Sequence, residues 1–420
     1  MTGHRTISAG RMLCALAASL FLSSVAYAQL KTFHNVPYAH AERFCPPVPV
    51  EGWDRTADYS ARGPQCPQTE TGNSMFLAGT LEPDENCLVM SINTPSMEGK
   101  LPVVVFIHGG SHHHGSGEWE VYDASGLARD EGIVTVSISF RHGVFGYLYD
   151  ESREKTSLGY EDQVAALRWI QRNIADFGGD PDNVTVTGQS AGAQDVVYLI
   201  NHLEEKLFRR AIVFSAPFLL NQSEAKAAKN ASKYLKILGK DPLEATADEI
   251  VAAEKSFKEQ VGGGAMAFSP YGMEEYGKEI KCGVEDVVVT WQAHDGSMFV
   301  MDFKDKELKD FGTSGDMSLT SIVTNLVFRN GAAKFTRRLQ KQGINALEYK
   351  FTWCPPDANW KAAHGLEIAF LYGSKEEILG YGLAGSVTPE LYDEICGGFR
   401  RTVADFARTG VWNCTLGEVR

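Results

Sequence analysis

The sequence lacks the features that mark several classes of protein. After residue 28, no apolar run reaches the roughly 20 residues that a membrane-spanning helix needs. The 420 residues contain no internal repeat, no low-complexity linker, and no Cys-x-x-Cys or paired-histidine spacing of a zinc site. The formal net charge is −13, so the basic surface that binds nucleic acid is missing. We therefore expect no integral membrane segment, no nucleic-acid partner, no metal and no cofactor.

The first 28 residues have the pattern of a secretory signal peptide. Two arginines make a basic start, residues 12–25 are mostly apolar, and Ala26-Tyr27-Ala28 is a small-residue cleavage signal. Removing 28 of the 420 residues leaves 392, which we expect to form one domain, residues 29–420. The interpretation places the protein outside the cytoplasm, either in the periplasm or in the extracellular space.

Cysteine is scarce and odd in number. Of eight cysteines, Cys14 lies in the predicted signal peptide, and seven remain. An oxidising compartment favours disulfides, and an odd count leaves at least one thiol unpaired within the chain. Cys66 and Cys87 are 21 positions apart across a loop with glycine and proline. A bond that closed a loop of this size would stabilise the fold by roughly 3 kcal/mol.

Apolar runs alternate with helical patterns along the chain. In residues 160–177 the apolar side chains recur every three or four positions, which predicts an amphipathic helix. Unbroken apolar runs suit parallel strands that are covered on both faces. Such runs occupy residues 103–107, 133–140, 211–214, 287–291 and 349–353. The alternation predicts an α/β fold with a central, mostly parallel sheet and helices on both faces.

Residues 223–283 form a polar, helix-rich stretch with Gly262-Gly263-Gly264 inside it. One interpretation is a helical insertion that forms a cap over the functional site, with the glycines as a hinge. The alternative is a plain surface insertion.

The most informative motif is Gly188-Gln189-Ser190-Ala191-Gly192. A short β-branched run precedes it at residues 184–187, and a helix-compatible segment follows it. A G-x-S-x-G sequence between a strand and a helix is typical of a nucleophile elbow, a tight turn that holds the serine hydroxyl above the sheet. Ser190 is therefore the candidate nucleophile.

A serine nucleophile needs a base, and three histidines follow Ser190 in the chain. His202 lies at the end of the helix after the nucleophile and precedes any plausible acid. His364 follows the strand predicted at 349–353, so it lies at the carboxyl end of that strand, where parallel sheets build their sites. We predict that His364 is the base.

The third member of a catalytic triad is a carboxylate that orients the histidine. Asp295 follows the strand predicted at 287–291, whereas Glu285 and Asp286 precede it and lie at its wrong end. Glu367 comes after His364 in the chain, which does not fit the order nucleophile, acid, histidine. We therefore choose Asp295 and expect the neighbouring His294 to point elsewhere.

Backbone N–H groups must stabilise the negative oxygen of an acyl-transfer transition state. One donor would be the N–H of Ala191, and others would come from the turn Ile107-His108-Gly109-Gly110-Ser111 after an earlier strand. A turn that merely needs glycine flexibility explains the same residues. The three histidines at 112–114 cannot converge on one ion, and we expect them at the rim of the site, within reach of substrate.

Several separated blocks resemble the type-B carboxylesterases of the cholinesterase-like group. They include Glu85-Asn86-Cys87-Leu88, the glycine-rich block at 177–185 and His364-Gly365-Leu366-Glu367, in the family's order. The resemblance implies the α/β-hydrolase fold and a carboxylic-ester hydrolase. It implies catalysis by Ser190, His364 and a carboxylate, here Asp295, and oxyanion donors at Gly110, Ser111 and Ala191. It also supports a Cys66–Cys87 disulfide.

The chain departs from the pattern of this family at three positions. Ser111 stands where the family usually has glycine, and its Cβ would strain the turn. Gln189 stands where the family usually has glutamate. Asp295 replaces the usual glutamate, and because its side chain is one methylene shorter, the backbone must approach His364 more closely.

The sequence therefore predicts a secreted serine hydrolase that cleaves a small-molecule ester through an acyl-enzyme intermediate. The alternative is a catalytically inactive relative that acts as a binding or adhesion protein. A lipase or polyester hydrolase would differ only in its substrate.

Overall fold

The computed structural model describes most of the chain. The described residues are 30–69, 81–152, 157–261, 266–271, 279–300, 319–354, 361–372 and 387–420. The predicted signal peptide and the predicted hinge Gly262-Gly263-Gly264 lie outside them.

A sheet of nine strands forms the centre of the described structure, in the order β1-β4-β6-β5-β7-β8-β9-β10-β11. The six strands from β6 to β10 in this order run parallel, and the neighbours at both edges are antiparallel. This confirms the predicted mostly parallel sheet. The strands are β1 (Lys31–Pro37), β2 (Ala39–His40), β3 (Val48–Pro49), β4 (Val89–Thr94), β5 (Leu101–Ile107), β6 (Val134–Ile138), β7 (Gly179–Gln189), β8 (Arg210–Phe214), β9 (Asp286–Gln292), β10 (Asn345–Phe351) and β11 (Gly417–Val419).

Helices cover both faces of this sheet. Alternate residues of β5 enter different cores, with Val103 and Val105 in one and Val104 and Phe106 in the other, so the strand is buried on both sides. Within the described residues, no helix is both long and apolar enough to cross a membrane. The helices are α1 (Ser125–Glu131), α2 (Gly143–Tyr147), α3 (Leu158–Asn173), α4 (Ala191–His202), α5 (Glu224–Leu238), α6 (Ala247–Gln260), α7 (Leu319–Val323), α8 (Asn330–Lys341), α9 (Leu366–Leu371) and α10 (Pro389–Thr409).

The predicted helix at 160–177 is present, but its α-helical part ends before residue 177. Helix α3 stops at Asn173, and a 3₁₀ turn continues from Ile174–Phe177. Gly178 then takes a left-handed φ of 74°, which ends the turn, and β7 begins at the next residue. The strand that leads to Ser190 is therefore longer than its apolar run predicts.

The stretch after residue 223 is helical, as predicted. Helix α5 begins after the cap residue Ser223, and α6 begins after Thr246, whose side chain and Glu249 form a capping box. The buried side chains of both helices pack with Val144 and Phe145 of α2 in a core of their own. This packing places α6 beside the segment that follows β5.

Cys66 and Cys87 are joined by a disulfide, and both are buried. The sulfur atoms link the segment before residue 70 to the start of β4. The remaining cysteines of the described residues, Cys45, Cys282, Cys354, Cys396 and Cys414, are free thiols.

Replacing both Cys66 and Cys87 by alanine is expected to lower the free energy of unfolding by about 3 kcal/mol. The reason is that the bond closes a loop in the unfolded chain and so lowers the conformational entropy of the unfolded state. Urea denaturation of the oxidised protein measures this loss. Cys45→Ala, at an exposed free thiol, is the matched control. An unchanged urea midpoint in the double variant would contradict the stabilising role.

Candidate active site

Ser190 lies between β7 and α4 in a strained turn, with φ 56° and ψ −120°. Its N–H donates to the carbonyl of Phe214 at 2.9 Å, which holds the turn against β8. A Cβ on Gly188 would lie 2.3 Å from the carbonyl oxygen of Gly192, so only glycine allows the close approach. This is the geometry of a nucleophile elbow, and it leaves the half-buried serine at the carboxyl edge of the sheet.

His364 and Asp295 meet at the same edge of the sheet. Nδ1 of His364 lies 2.8 Å from Oδ1 of Asp295, and His364 is 7 % exposed. Because a carboxylate only accepts, Nδ1 carries the proton and the lone pair of the neutral ring is at Nε2. The ring is therefore held in the tautomer that a general base requires.

Asp295 is fully buried, and three donors satisfy it. Its Oδ2 accepts the N–H of Gln292 at 2.6 Å and the hydroxyl of Ser215 at 3.1 Å, in addition to the contact with His364. Hydrogen bonds of this kind satisfy the lone pairs of a buried carboxyl group, which would otherwise be costly to bury. The donors also fix its orientation toward the imidazole.

The loops that carry the acid and the base lie side by side. The N–H of His294 donates to the carbonyl of Ala362 at 3.0 Å, and His294 and Ala363 form a parallel bridge. This contact brings the backbone of the Asp295 loop close to His364, as the short aspartate requires. His294 itself is half-buried and is not bonded to His364.

Gln189 contacts the second ring nitrogen of His364, the one that does not face Asp295. Its Nε2 lies 3.1 Å from Nε2 of His364, and Gln189 is 8 % exposed. The amide N–H donates to the ring's lone pair, since the proton of the neutral ring is at Nδ1. The hydroxyl of Ser190 has no hydrogen-bond partner among the described residues, and Gln189 occupies the position at Nε2 of His364 that this hydroxyl must take.

The turn after β5 lies opposite the elbow. A Cβ on Gly109 would lie 3.3 Å from Cβ of Ser190, which shows how close the two segments are. Gly110 has φ 114° and Ser111 has φ 57°. The N–H groups of Gly110, Ser111 and Ala191 donate no hydrogen bond within the described part of the chain. They are therefore available to a substrate oxygen.

The expectation that the three histidines line the rim of the site is wrong for two of them. His112 and His113 are 2 % and 5 % exposed, and each has a buried polar partner. Only His114 is half-buried. Three adjacent polar residues gave no sign of burial, because their partners lie far away in the sequence.

Aromatic side chains surround the base on its remaining sides. The ring of His364 lies 5.2 Å from that of Phe299 and 5.0 Å from that of Phe328. Phe328 lies in a π-helical turn, Thr324–Arg329, between α7 and α8. Thr324 Oγ1 accepts the N–H of Gly296, which anchors the residue after Asp295. The π-helical turn therefore supports both the acid and the base.

A second carboxyl group, Glu367, lies behind Asp295 and was rejected from the sequence as the acid. It is 1 % exposed and accepts a hydrogen bond from the side chain of Gln292. Burial, and next the charge of Asp295, raise the pKa of Glu367 to about 8. Its neutral form therefore predominates at pH 7, and it is not the partner of His364.

Sequence reasoning selected Ser190, Asp295 and His364, and the structure places all three at one edge of the sheet. It did not find Ser215, Gln292 or the contact made by Gln189. Ser215 directly follows β8, so its place at a carboxyl strand end was a usable signal. The role of the backbone N–H of Gln292 has no signal in the sequence.

Comparison with known proteins identifies the family. The family model described as "Carboxylesterase family" matches residues 22–276. The chain belongs to the carboxylesterase family. It is 31 % identical over 403 residues to a "Probable N-octanoylanthranilate hydrolase" of Rhodococcus erythropolis, covering 90 % of this chain and 89 % of that protein.

Two further relatives support the same assignment. The para-nitrobenzyl esterase of Bacillus subtilis (strain 168) is 30 % identical over 410 residues, covering 86 % of this chain and 82 % of that protein. A solved structure of a thermophilic PNB esterase matches with a TM-score of 0.77 and 25 % identity, covering 93 % of this chain and 90 % of that one. These matches confirm the α/β-hydrolase fold, and the chain is a carboxylic-ester hydrolase.

Four histidines of this carboxylesterase lie buried around the turn after β5: His108, His112, His113 and His142. In the described residues no group of three or more His, Cys, Asp or Glu side chains is arranged to hold a metal ion. Burial lowers the pKa of His108 to about 4 and that of His112 to about 3. It also lowers the pKa of His113 and places that of His142 well below the usual value.

These histidines contribute a loss of stability in acid. Below pH 6.5 the unfolded chain binds protons that the folded rings refuse until about pH 4 or lower, so stability falls as pH falls through this window. His108 and His112 each contribute a slope of about 1.4 kcal/mol per pH unit in this window. Urea unfolding between pH 7 and pH 4.5 measures the net slope, to which the buried carboxyl groups of Glu367 and Asp195, whose pKa values are raised, contribute in the opposite direction.

His112→Gln removes one of these rings and keeps a donor for Gln194. The slope of the unfolding free energy against pH should therefore fall by the amount that corresponds to about one bound proton. His40→Gln, at an exposed ring, is the control and should leave the slope unchanged. An equal slope in wild type and His112→Gln would show that this ring accepts its proton in the folded state.

Proposed function

We propose that this chain hydrolyses carboxylic esters through an acyl-enzyme formed on Ser190. The observation that carries the proposal is the 2.8 Å contact of Asp295 with His364 beside the strained elbow of Ser190. An inactive binding protein would not need a buried acid with three donors aimed at one imidazole.

In the proposed first half-reaction, Ser190 Oγ attacks the ester carbonyl and His364 Nε2 takes the hydroxyl proton. The tetrahedral oxyanion is stabilised by the N–H groups of Gly110, Ser111 and Ala191. The imidazolium then returns its proton to the leaving alcohol as the C–O bond breaks. Asp295 stabilises the imidazolium without taking its proton.

In the second half-reaction, water replaces the alcohol. His364 removes a proton from the water, the resulting hydroxide attacks the acyl carbon, and the same donors bind the oxyanion. The carboxylic acid leaves as Ser190 regains its proton. No group beyond the chain and water is needed to balance the reaction.

Gln189 must give way during this cycle. Its amide N–H donates to the neutral ring at 3.1 Å, but an imidazolium has a proton at Nε2 and needs an acceptor there. The side chain must therefore move away from Nε2, so that the Ser190 hydroxyl and then the leaving alcohol can take its place at the ring. A glutamine does this without adding a charge beside the base, which a glutamate at this position would add.

We also propose that the protein is exported. The basic start, the apolar segment and the Ala26-Tyr27-Ala28 signal support this, and the Cys66–Cys87 disulfide suits an oxidising compartment. Amino-terminal sequencing of the exported protein tests it, with Gln29 as the expected first residue.

Ser190→Ala is expected to abolish hydrolysis of p-nitrophenyl esters and labelling by a fluorophosphonate probe. Asp295→Asn should lower kcat by about ten-thousand-fold, because the donors Gln292 and Ser215 hold the amide oxygen on their side, so the NH₂ group faces Nδ1 of His364 and favours the wrong tautomer. Glu285→Gln makes the same chemical change at the opposite, exposed end of β9 and is the matched control.

The outcomes separate the candidate functions. Loss in Ser190→Ala with full activity in Asp295→Asn would keep the enzyme and exclude Asp295 as the acid. A wild-type protein that neither turns over the esters nor reacts with the probe would favour the inactive binding protein.

Gln189→Glu is expected to move the acid limb of the kcat/KM profile to higher pH by about one to two units. A carboxylate within hydrogen-bond distance of Nε2 favours the imidazolium, so the neutral base would predominate only at higher pH. Gln260→Glu adds the same charge at an exposed residue of α6 and should leave the profile in place. An unshifted limb in Gln189→Glu would mean that the side chain turns away from the base.

A further inference from the structure

The turn that holds the oxyanion donors has a positive φ at three successive residues, and two of the three carry a Cβ. Gly110, Ser111 and His112 have φ values of 114°, 57° and 59°, all in the left-handed region. For a residue with a Cβ this conformation costs roughly 1–2 kcal/mol, and it persists only where the surrounding contacts impose it. Two such residues in succession therefore require firm anchors.

His112 anchors the turn to the nucleophile helix. Its Nε2 lies 3.2 Å from Oε1 of Gln194, and the amide of Gln194 is oriented because its nitrogen donates to Asn221 at 2.9 Å. Its Nδ1 lies 3.6 Å from the carboxyl of Asp195. Gln194 and Asp195 belong to α4, which begins at Ala191, the residue whose N–H is one of the three oxyanion donors.

The protonation states in this first anchor agree with one another. Oε1 of Gln194 can only accept, so Nε2 of His112 holds the proton and Nδ1 has the lone pair. Burial raises the pKa of Asp195 well above its usual range, which favours the neutral carboxyl. Gln163 donates to Oδ2 of this carboxyl at 2.7 Å.

His113 anchors the turn to the helical insertion. Its Nδ1 lies 2.7 Å from Oε1 of Glu254 in α6, and both residues are buried. Glu254 also accepts the N–H of Val144 at 3.1 Å and lies 3.2 Å from Nζ of Lys258. With three donors, and despite its burial, the pKa of Glu254 is lowered to about 2, so its charge is permanent near neutral pH.

We propose that His112 and His113 are positioning residues that clamp the oxyanion turn between α4 and α6 and so aim the N–H groups of Gly110 and Ser111. The inference rests on the proposed function of that turn. Because both rings are buried, neither is expected to touch substrate. Their contribution comes through the backbone, in the transition state rather than in substrate binding.

The test uses substitutions that keep or remove one donor. In His113→Asn the side-chain NH₂ occupies the place of Nδ1 and can still donate to Glu254, whereas His113→Phe keeps the ring and loses the donor. At position 112 the equivalent pair is His112→Gln, whose NH₂ replaces Nε2, and His112→Phe. His40→Phe, at an exposed ring, is the control for the change of residue type.

For p-nitrophenyl esters, each phenylalanine variant at 112 or 113 should lower kcat by about 10- to 100-fold with little change in KM. Binding of an arylboronic acid, which forms a tetrahedral adduct with the serine, should weaken by a similar factor. His113→Asn and His112→Gln should retain activity within about threefold of wild type. Rates are expressed per serine labelled by fluorophosphonate, which removes any loss of folded protein from the comparison.

A second readout does not depend on catalysis. Amide hydrogen exchange of the peptide that spans residues 109–115 should speed up in His113→Phe and stay near the wild-type rate in His113→Asn. Unchanged exchange and unchanged kcat in both phenylalanine variants would overturn the clamp. A wild type without esterase activity whose turn still loosens in His113→Phe would keep the clamp and overturn the proposed function.

Discussion

The site depends on a backbone contact that only glycine permits. A Cβ on Gly192, two residues after the nucleophile, would lie 2.2 Å from the carbonyl oxygen of Ile107. Ile107 is the last residue of β5, and the oxyanion turn begins with the next residues. This contact therefore presses the start of α4 against the start of the turn. One close approach fixes the position of the Ser190 hydroxyl and of both segments that supply N–H donors.

The electrostatics of the site follow from the different hydrogen-bonding surroundings of two buried carboxyl groups, Asp295 and Glu367. Asp295 has donors from Gln292, Ser215 and His364. Glu367 accepts only one hydrogen bond from a described residue and stays largely protonated at pH 7. Two adjacent anions in a dry pocket would repel, and the proton on Glu367 removes that repulsion. His364 therefore faces one negative charge, which balances the single positive charge of the imidazolium.

The sequence predicted those parts of the molecule that rest on local patterns. Apolar runs located the strands, and the end of a strand located Asp295 and His364, because polar residues at the carboxyl ends of parallel strands converge. The burial of His113 was not predictable, since its partner Glu254 lies 141 positions away and a histidine carries no local sign of burial. The contact of Gln189 with His364, across 175 positions, escaped for the same reason. Pairings of this kind depend on the tertiary structure, which local sequence patterns do not specify.

Two of the departures from the family pattern are balanced by contacts elsewhere in the fold. The shorter side chain of Asp295 reaches His364 because the bridge between His294 and Ala363 draws the two loops together. The strain at Ser111 persists because the next two side chains are bonded to different helices, and neither helix can move without disturbing its own core. In both cases the compensating contacts are not made by the substituted residue. They are made by its neighbours in the chain, whose partners are distant in the sequence. A change at Asp295 or Ser111 therefore has to be accompanied by changes in these contacts.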